Sequence, residues 1–337
     1  MRAVVLDQPG IGVKQIRAPE PGRRALVQVG QAGLCGTDLK IAAGEIPVAL
    51  PRVLGHEMTG WVAQPGARGL LPAGTPVLVN PAVFCGHCAL CRGDLPQLCR
   101  SGGLLGRDAD GVFADLVAVD EDCLHPLPPG LPASGAVLLQ VLSTCVHAQS
   151  LVTVRPADTA VVVGLGVSGL LHVQLLRDRG VRVIVGVTRS AAKRELARSF
   201  GASQAVAPDQ ADEAVAQATG GRGADLAIEA AGSQPSLVQA MRLAAPGGTV
   251  LVYGTTVPTA DGLPTYDWYL KELTIRSTRA ARPRDCDLAI RLYADHRVDL
   301  APLVTARFPV DQAAEALAAC AAPGQLKVVL DVADQSE

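Results

Sequence analysis

The sequence has few aromatic residues and no excess of either charge. Only 3% of its 337 residues are Phe, Trp or Tyr, and 30 basic residues stand against 32 acidic ones. A chain without a basic excess lacks the electrostatic footprint of a nucleic-acid-binding protein. No apolar run approaches the roughly 18 residues of a transmembrane helix. We therefore expect neither a nucleic-acid partner nor a membrane partner, and a small molecule as the substrate.

The first residues lack the apolar core of a secretory signal peptide. Nine cysteines, an odd number, are typical of a reducing compartment, where thiols bind metals or pack in cores. We expect a cytoplasmic protein. The length predicts two domains, and 49% hydrophobic residues with 18% charged residues indicate a globular fold.

Four cysteines are concentrated within fifteen residues. They are Cys85, Cys88, Cys91 and Cys99, spaced C-x2-C-x2-C-x7-C. Four thiolates form the closed tetrahedral site of a structural zinc, with no open position for substrate. Disulfides need an oxidising compartment, iron–sulfur ligands usually follow other spacings, and a nucleic-acid finger needs basic charge. We therefore predict a structural zinc in a lobe of residues 80–105.

The pattern of apolar residues changes along the chain. Short strands broken by Gly and Pro fill residues 1–125 and favour an irregular antiparallel β-barrel. The apolar stretch Ala133–Leu151 predicts a helix. From Ala160 strands and helices alternate, which favours βαβ units and a doubly wound parallel sheet in an α/β protein. The predicted domains are 1–143 with 278–337, and 144–277.

A glycine-rich turn follows the predicted strand Ala160–Val163 and precedes a helix. Its residues are Gly164, Leu165, Gly166, Val167, Ser168 and Gly169. In this position G-x-G-x-x-G is the fingerprint of a dinucleotide site, because glycines allow the tight turn and the close approach of the pyrophosphate. The alternative is a purely structural turn. We predict that the helix N-terminus binds a dinucleotide pyrophosphate.

The next strand ends in Thr188, Arg189 and Ser190, with Lys193 shortly after. The acidic residue that would bind the ribose 2′-OH of NAD is absent there. Hydroxyls and two cations suit a 2′-phosphate, and an arginine binds phosphate oxygens through a planar fork. The alternative is a solvated helix start. We predict NADP(H) as the cofactor.

The motifs together resemble the zinc-dependent medium-chain dehydrogenase/reductase family, the alcohol and polyol dehydrogenases, nearly end to end. The likeness rests on the four cysteines, the glycine-rich turn, Gly55-His-Glu-x2-Gly60-x5-Gly66, Gly223–Gly232 and Lys271-Glu-Leu-Thr-Ile. It implies a GroES-like catalytic domain joined to a Rossmann cofactor domain. It also implies a homodimer or homotetramer formed through the Rossmann edge strand, Lys271–Ser277.

The resemblance implies roles for individual residues. Cys35 and His56 resemble ligands of a catalytic zinc, and Asp38 resembles the carboxylate that orients the imidazole. Thr37 resembles the hydroxyl that binds the substrate oxygen and begins a proton relay. The residues that resemble nicotinamide-side contacts are Thr144, Tyr253 and Ser277. Lys40 stands where many members place the last histidine of the relay.

The third ligand position departs from the family pattern. Gln140 aligns where members have Cys, Glu or Asp, and Cys145 lies five residues later, about 140° around a helix. We therefore exclude Cys145. Zinc with the Cys35 thiolate, neutral His56 and Gln140 carries a net charge of +1, which favours Glu57 as an anionic fourth ligand. We predict a resting site of Cys35, His56, Glu57 and Gln140.

The resemblance implies hydride transfer between NADP(H) and a zinc-bound secondary alcohol, polyol or carbonyl compound. With its structural site, the chain is expected to hold two zinc ions. Two alternatives stay open. The scaffold also serves iminium and enoyl reductases, and a non-catalytic NADPH-binding relative would keep the fold without turnover. Such a relative should lack Cys35 and His56, which this chain retains.

Overall fold

The computed structural model describes residues 1–8, 10–254 and 262–333. Its strands are β1 (Arg2–Leu6), β2 (Ile11–Gln15), β3 (Ala25–Gly33), β4 (Arg52–Val53), β5 (Glu57–Gln64), β6 (Pro76–Val79), β7 (Ala82–Val83), β8 (Gly103–Leu104), β9 (Leu116–Val119), β10 (Leu124–Pro126), β11 (Thr159–Val163), β12 (Val183–Val187), β13 (Gln204–Val206), β14 (Ala224–Glu229), β15 (Ala244–Val252), β16 (Thr274–Ser277), β17 (Val304–Pro309) and β18 (Lys327–Asp331). Its α-helices are α1 (Gly36–Ala42), α2 (Ala89–Arg92), α3 (Leu139–Ser150), α4 (Val167–Asp178), α5 (Ala191–Ser199), α6 (Ala211–Thr219), α7 (Gln234–Leu243), α8 (Thr265–Leu270), α9 (Pro283–Ala294) and α10 (Ala313–Ala321).

The chain forms two compact units. Unit 1 combines Met1–Ser143 with Ala280–Glu337, and unit 2 is Thr144–Arg279. The sequence predicted the second boundary between the two units two residues earlier, after Ser277. Among the described residues, no helix combines the length and the apolar character needed to cross a lipid bilayer.

The main sheet of unit 1 takes strands from both segments of the unit. Its order is β10-β6-β5-β3-β18-β17, and β9 also pairs with β3. These pairs are antiparallel, as the sequence predicted, except that β17 and β18 run parallel. The core beneath it includes Leu34, Leu54, Met58 and Phe113, none more than 1% exposed, and each such side chain contributes about 1.5–3 kcal/mol by burial. Placing β18 beside β3 brings the last segment of the chain next to the first.

Unit 2 is a six-stranded parallel sheet. Its order is β13-β12-β11-β14-β15-β16, which is 3-2-1-4-5-6 when the strands are numbered within the unit. This is the doubly wound arrangement of dinucleotide-binding folds, and ligands bind such sheets at the carboxyl ends of the strands. All five residues of β11 are buried, which explains its uninterrupted apolar sequence.

The helix predicted over Ala133–Leu151 begins later than expected. Residues 136–138 form a 3-10 turn, and the α-helix starts at Leu139. A Cβ on Gly135 would lie 2.6 Å from the Cβ of Leu300, so glycine permits a close chain approach there. The apolar character of this segment therefore reflects burial in a turn as well as in a helix.

Candidate metal centres and cofactor site

The four clustered cysteines converge on one point. Their Sγ atoms are separated by 3.5 Å (Cys88–Cys91), 3.6 Å (Cys85–Cys99) and 3.9 Å (Cys85–Cys91 and Cys88–Cys99). A tetrahedron with zinc–sulfur bonds of about 2.3 Å has edges of about 3.8 Å. A disulfide would bring two sulfurs to about 2.05 Å. The geometry fits a closed tetrathiolate metal site.

Backbone N–H groups surround these sulfurs. The Cys88 N–H lies 3.3 Å from Cys85 Sγ, and the Cys91 N–H lies 3.5 Å from Cys88 Sγ at the start of α2. Hydrogen bonds from Cys91, first from its backbone and then from its thiol, lower the pKa of Cys88 to about 6. Hydrogen bonds to a thiolate favour the form that binds metal. The start of α2 therefore favours the metal-binding thiolate form of Cys88.

A second cluster in unit 1 joins Cys35, His56 and Glu57. One ligand atom from each of the three lies within 4.8 Å of the others. Cys35 caps the N-terminus of α1, while His56 and Glu57 stand at the start of β5. Thr37 is the second residue of α1, and its Oγ1 is 3.8 Å from Cys35 Sγ. A thiolate, an imidazole and a carboxylate are a donor set suited to zinc.

Asp38 organises this cluster from a fully buried position. Its Oδ2 accepts a 2.8 Å hydrogen bond from the Cys35 backbone N–H, and its Oδ1 lies 3.4 Å from His56 Nδ1. Burial lowers the pKa of His56, but the Asp38 carboxylate outweighs it and raises that pKa well above 6.5. A carboxylate at Nδ1 leaves Nε2 as the atom for a metal, the arrangement predicted from the sequence.

Lys327 is a component of this cluster that sequence reasoning missed. Its Nζ lies 2.9 and 2.7 Å from the two carboxylate oxygens of Glu57, and it donates a 2.8 Å hydrogen bond to the Leu34 carbonyl. Lys327 is 4% exposed and Glu57 is 1% exposed. The pairing follows from the sheet, because β3 lies between β18 and β5. A single cation in the otherwise apolar stretch 326–330 was the available signal.

The ion pair changes the charge balance of the cluster. Burial lowers the pKa of Lys327, but the charges of Glu57 and Cys35 raise it overall, so the ammonium stays protonated. Both oxygens of Glu57 already bind a cation. As a metal ligand, Glu57 would therefore share its carboxylate with Lys327 or exchange one cation for another.

Gln140 and Cys145 occupy different environments in α3. Gln140 is the second residue of the helix, 9% exposed, and its backbone carbonyl accepts a hydrogen bond from Ser143 Oγ. Gln140 belongs to the same unit as the Cys35 cluster, whereas Cys145 belongs to unit 2. Burial raises the pKa of Cys145 to about 12, so this thiol stays protonated. The ligand role of Gln140 remains a prediction.

The glycine-rich turn of unit 2 has the geometry of a pyrophosphate site. Gly164 has φ +96°, and a Cβ there would lie 2.6 Å from the Ala231 backbone nitrogen. A Cβ on Gly169 would lie 1.9 Å from the Gly164 carbonyl oxygen. Gly166, the N-cap of α4, has no heavy atom within 4 Å of such a Cβ, so the helix N-terminus is open to an anion. These are the three tasks of the glycines in a dinucleotide turn.

The end of β12 presents cations next to this turn. Arg189 is exposed, and Ser190 caps α5 by accepting a hydrogen bond from the Lys193 N–H. Burial lowers the pKa of Lys193. Arg194, which sequence reasoning missed, donates from Nη1 to the carbonyls of Thr188 (3.0 Å) and Arg189 (2.9 Å). It therefore fixes the backbone that carries the predicted phosphate contacts.

The three predicted nicotinamide-side residues are distributed unevenly. Thr144 Oγ1 and Tyr253 Oη lie 2.7 Å apart. Ser277 is exposed at the end of β16, where it pairs with Val252. The structure thus brings together two of the three.

Two family profiles match this chain. Residues 21–129 match the alcohol dehydrogenase GroES-like domain, and residues 166–295 match the zinc-binding dehydrogenase profile. Together with the order of the parallel sheet, they confirm the predicted GroES-like and Rossmann folds. The fold and the site define a zinc-binding, dinucleotide-dependent oxidoreductase scaffold.

Individual proteins are similar over nearly the whole chain. Sorbitol dehydrogenase of Halalkalibacterium halodurans is 28% identical over 99% of this chain and 100% of its own length. A Sinorhizobium meliloti 1021 protein, classed with the zinc-binding dehydrogenases and solved with NADP, is 31% identical, covers 98% of this chain and 99% of its own, and gives a TM-score of 0.88. An Escherichia coli CFT073 alcohol dehydrogenase complexed with NADH is 26% identical over 98% and 99%, with a TM-score of 0.90. The chain belongs to the zinc-dependent medium-chain dehydrogenase family, an oxidoreductase family that uses zinc and a nicotinamide cofactor.

Proposed function

We propose that this protein is a zinc-dependent NADP(H) oxidoreductase that interconverts a secondary alcohol or polyol and its carbonyl compound. The observation that carries the proposal is the Cys35, His56 and Glu57 cluster, oriented by Asp38, in a chain whose unit 2 carries an open dinucleotide turn. The sorbitol dehydrogenase relative supports a polyol as the substrate class.

Individual residues of the chain would have separate roles in the reaction. Cys35 and His56 would hold the catalytic zinc, with Glu57 or Gln140 completing its ligands. Zinc supplies Lewis-acid stabilisation of an alkoxide, and the nicotinamide accepts or donates the hydride. Thr37, whose hydroxyl lies beside Cys35 Sγ, would take the proton of the substrate hydroxyl and pass it on. Asp38 would keep the imidazole in the tautomer that ligates metal.

Lys327 would control how Glu57 behaves at this centre. An ammonium held between both carboxylate oxygens lowers the tendency of Glu57 to bind a second cation. We propose that Glu57 serves as an exchangeable ligand. It would remain with Lys327 when substrate or water occupies the fourth position, and it would approach the metal when that position is vacated.

The choice of NADP(H) rests on the end of β12. No carboxylate stands between Thr188 and Arg194 to bind a ribose 2′-OH, and Arg189, Lys193 and Arg194 supply positive charge. The NADP-bound relative supports this choice, whereas the NADH-bound relative shows that the fold accepts either cofactor. Lys40 would lie in solvent or at a cofactor phosphate.

The proposal includes a second zinc at the four cysteines, a cytoplasmic location and a homodimer, or a tetramer made of two dimers. β16 is the edge strand of the unit 2 sheet, and α8 before it exposes Tyr266, Tyr269 and Leu270. An unpaired edge with an apolar neighbour favours association. Light scattering of the protein and of Leu270→Glu tests this. A wild-type monomer at micromolar concentration would overturn it.

A steady-state screen on zinc-quantified protein tests the function. Ketones, aldehydes, ketoses and cyclic imines should be offered with NADPH and with NADH, and the corresponding alcohols and polyols with NADP⁺ and NAD⁺. We expect turnover of a ketose or polyol with a preference for the phosphorylated cofactor. Preference for NADH would overturn the cofactor assignment. Turnover of imines alone, or binding without turnover, would overturn the reaction.

A further inference from the structure

Tyr253 hydrogen-bonds Thr144 within unit 2. Their hydroxyl oxygens, Oη and Oγ1, lie 2.7 Å apart. The backbone N–H of Tyr253 donates 2.9 Å to the Glu229 carbonyl at the end of β14. The thiol of Cys145 lies 3.8 Å from the Ser168 carbonyl oxygen. The phenol is thus bonded to Thr144, the first residue of unit 2, whose neighbour Cys145 contacts the dinucleotide turn.

The phenol stays neutral in this setting. Desolvation by burial raises the pKa of Tyr253 well above 10. A neutral phenol has one proton to donate and can accept another hydrogen bond. It can therefore donate to the Thr144 hydroxyl or accept from it, and either arrangement keeps the contact. It has no proton to release to substrate at neutral pH.

His172 fixes the ring of Tyr253. The two rings meet edge to face, with centroids 4.8 Å apart and an interplanar angle of 83°. His172 is fully buried, and burial lowers its pKa to about 3, so the imidazole is neutral. Gln149 Nε2 lies 3.2 Å from His172 Nδ1 and 3.1 Å from its carbonyl oxygen. A locked aromatic pair leaves the phenol hydroxyl little freedom.

We propose that Tyr253 is a positioning residue: its hydroxyl holds Thr144, next to the contact of Cys145 with Ser168, and so holds the nicotinamide-side hydroxyl at a fixed place relative to the pyrophosphate turn. The sequence had assigned Tyr253 a direct nicotinamide contact, whereas its hydroxyl is used within the protein. The inference rests on the proposed cofactor site. Its physical reason is that hydride transfer depends steeply on distance, and a misplacement near 1 Å can cost about 10²-fold in rate.

Tyr253→Phe removes the hydroxyl and keeps the ring against His172. Tyr293→Phe is a matched control, since the Tyr293 hydroxyl also makes a part-buried hydrogen bond, donating 3.0 Å to the Pro132 carbonyl, and lies in unit 1. Both variants should fold, as checked by circular dichroism and melting temperature. We expect Tyr253→Phe to weaken binding of the preferred cofactor in the substrate-free enzyme about fivefold, measured by calorimetry. Tyr293→Phe should bind it as the wild type does.

Two further readouts separate positioning from packing. Tyr253→Phe should lower kcat about tenfold and raise the primary deuterium isotope effect with cofactor labelled at C4. Thr144→Val should lose a similar amount of cofactor affinity. The double variant should bind the cofactor at most about twofold more weakly than the weaker-binding single variant, because both substitutions remove the same hydrogen bond.

Wild-type cofactor affinity in this protocol distinguishes failure of the inference from failure of the proposed function. A wild type that binds neither cofactor would overturn the proposed function. Normal wild-type binding with unchanged affinity in Tyr253→Phe would overturn the inference alone. Losses that multiply in the double variant would also overturn it, since Tyr253 would then act independently of Thr144.

Discussion

Lys327 and Glu57, 270 residues apart in the chain, form a buried ion pair in which one ammonium bridges both carboxylate oxygens at 2.7 and 2.9 Å. The pair stands beside two candidate zinc ligands, Cys35 and His56. A buried carboxylate without its cation is costly, and so is a buried cation without its carboxylate. The Lys327–Glu57 pair therefore links the stability of the fold to the chemistry of the candidate zinc site.

Removal of Lys327 alone should lower the stability of the fold far more than removal of both charges of the pair. We expect Lys327→Met to lower the free energy of unfolding by about 3–5 kcal/mol, because Glu57 is left buried and charged. The double variant Glu57→Gln/Lys327→Met should regain most of this loss. Urea denaturation of zinc-loaded protein measures both. Lys14→Met, which breaks the exposed pair with Asp7, is the control and should cost no more than about 1 kcal/mol. Equal losses in Lys327→Met and in the double variant would show that Glu57 without Lys327 carries no penalty as an unpaired buried charge.

The tetrathiolate lobe should bind its metal independently of activity. We expect Cys91→Ser to lose one of two zinc equivalents, measured by elemental analysis, and to become less stable, because a closed zinc site contributes to folding. Cys123→Ala removes a buried thiol outside both clusters and should retain both ions. If Cys91→Ser keeps two equivalents, the lobe does not bind zinc through this residue.

Thr37 should govern proton transfer. Thr37→Val keeps the shape of the side chain but has no hydroxyl, so kcat should fall about 10²–10⁴-fold, the usual contribution of a proton-transfer group. Thr37→Ser should recover most of the rate. Zinc content and cofactor affinity should match the wild type in both variants. A valine variant with normal kcat would assign the proton transfer to another group.

Cofactor choice should depend on the cations after β12. Arg189→Ala should reduce kcat/KM for NADPH about 10–100-fold, since a hydrogen bond to a charged group contributes about 1.5–3 kcal/mol, and should leave kcat/KM for NADH nearly unchanged. Arg194→Ala should act in the same direction by releasing the carbonyls of Thr188 and Arg189. Arg182→Ala, an exposed arginine before β12, is the control. Parallel losses with both cofactors would exclude a 2′-phosphate contact.

The sequence predicted those features that short motifs specify. The four cysteines, the glycine-rich turn and the pair His56–Glu57 are each local, so their spacing indicates their chemistry. The family and both folds followed from them and are confirmed. Lys327 was missed because only the pairing of β18 with β3 brings it to Glu57. Arg194 and His172 were missed for a similar reason, since a charged helix residue and a buried histidine have no distinctive local pattern.

The sheet of unit 1 also imposes an order on biosynthesis. Glu57 leaves the ribosome 270 residues before Lys327, and all of unit 2 is translated in between. Domains fold as units during synthesis, so the contiguous unit 2 can fold while the Cys35 centre still lacks its cation and a strand of its sheet. A nascent chain would hold Glu57 without its counter-ion until Lys327 has been translated. β18 is therefore the strand that closes the centre, and the Cys35 centre should mature only after the whole of unit 2 has been synthesised.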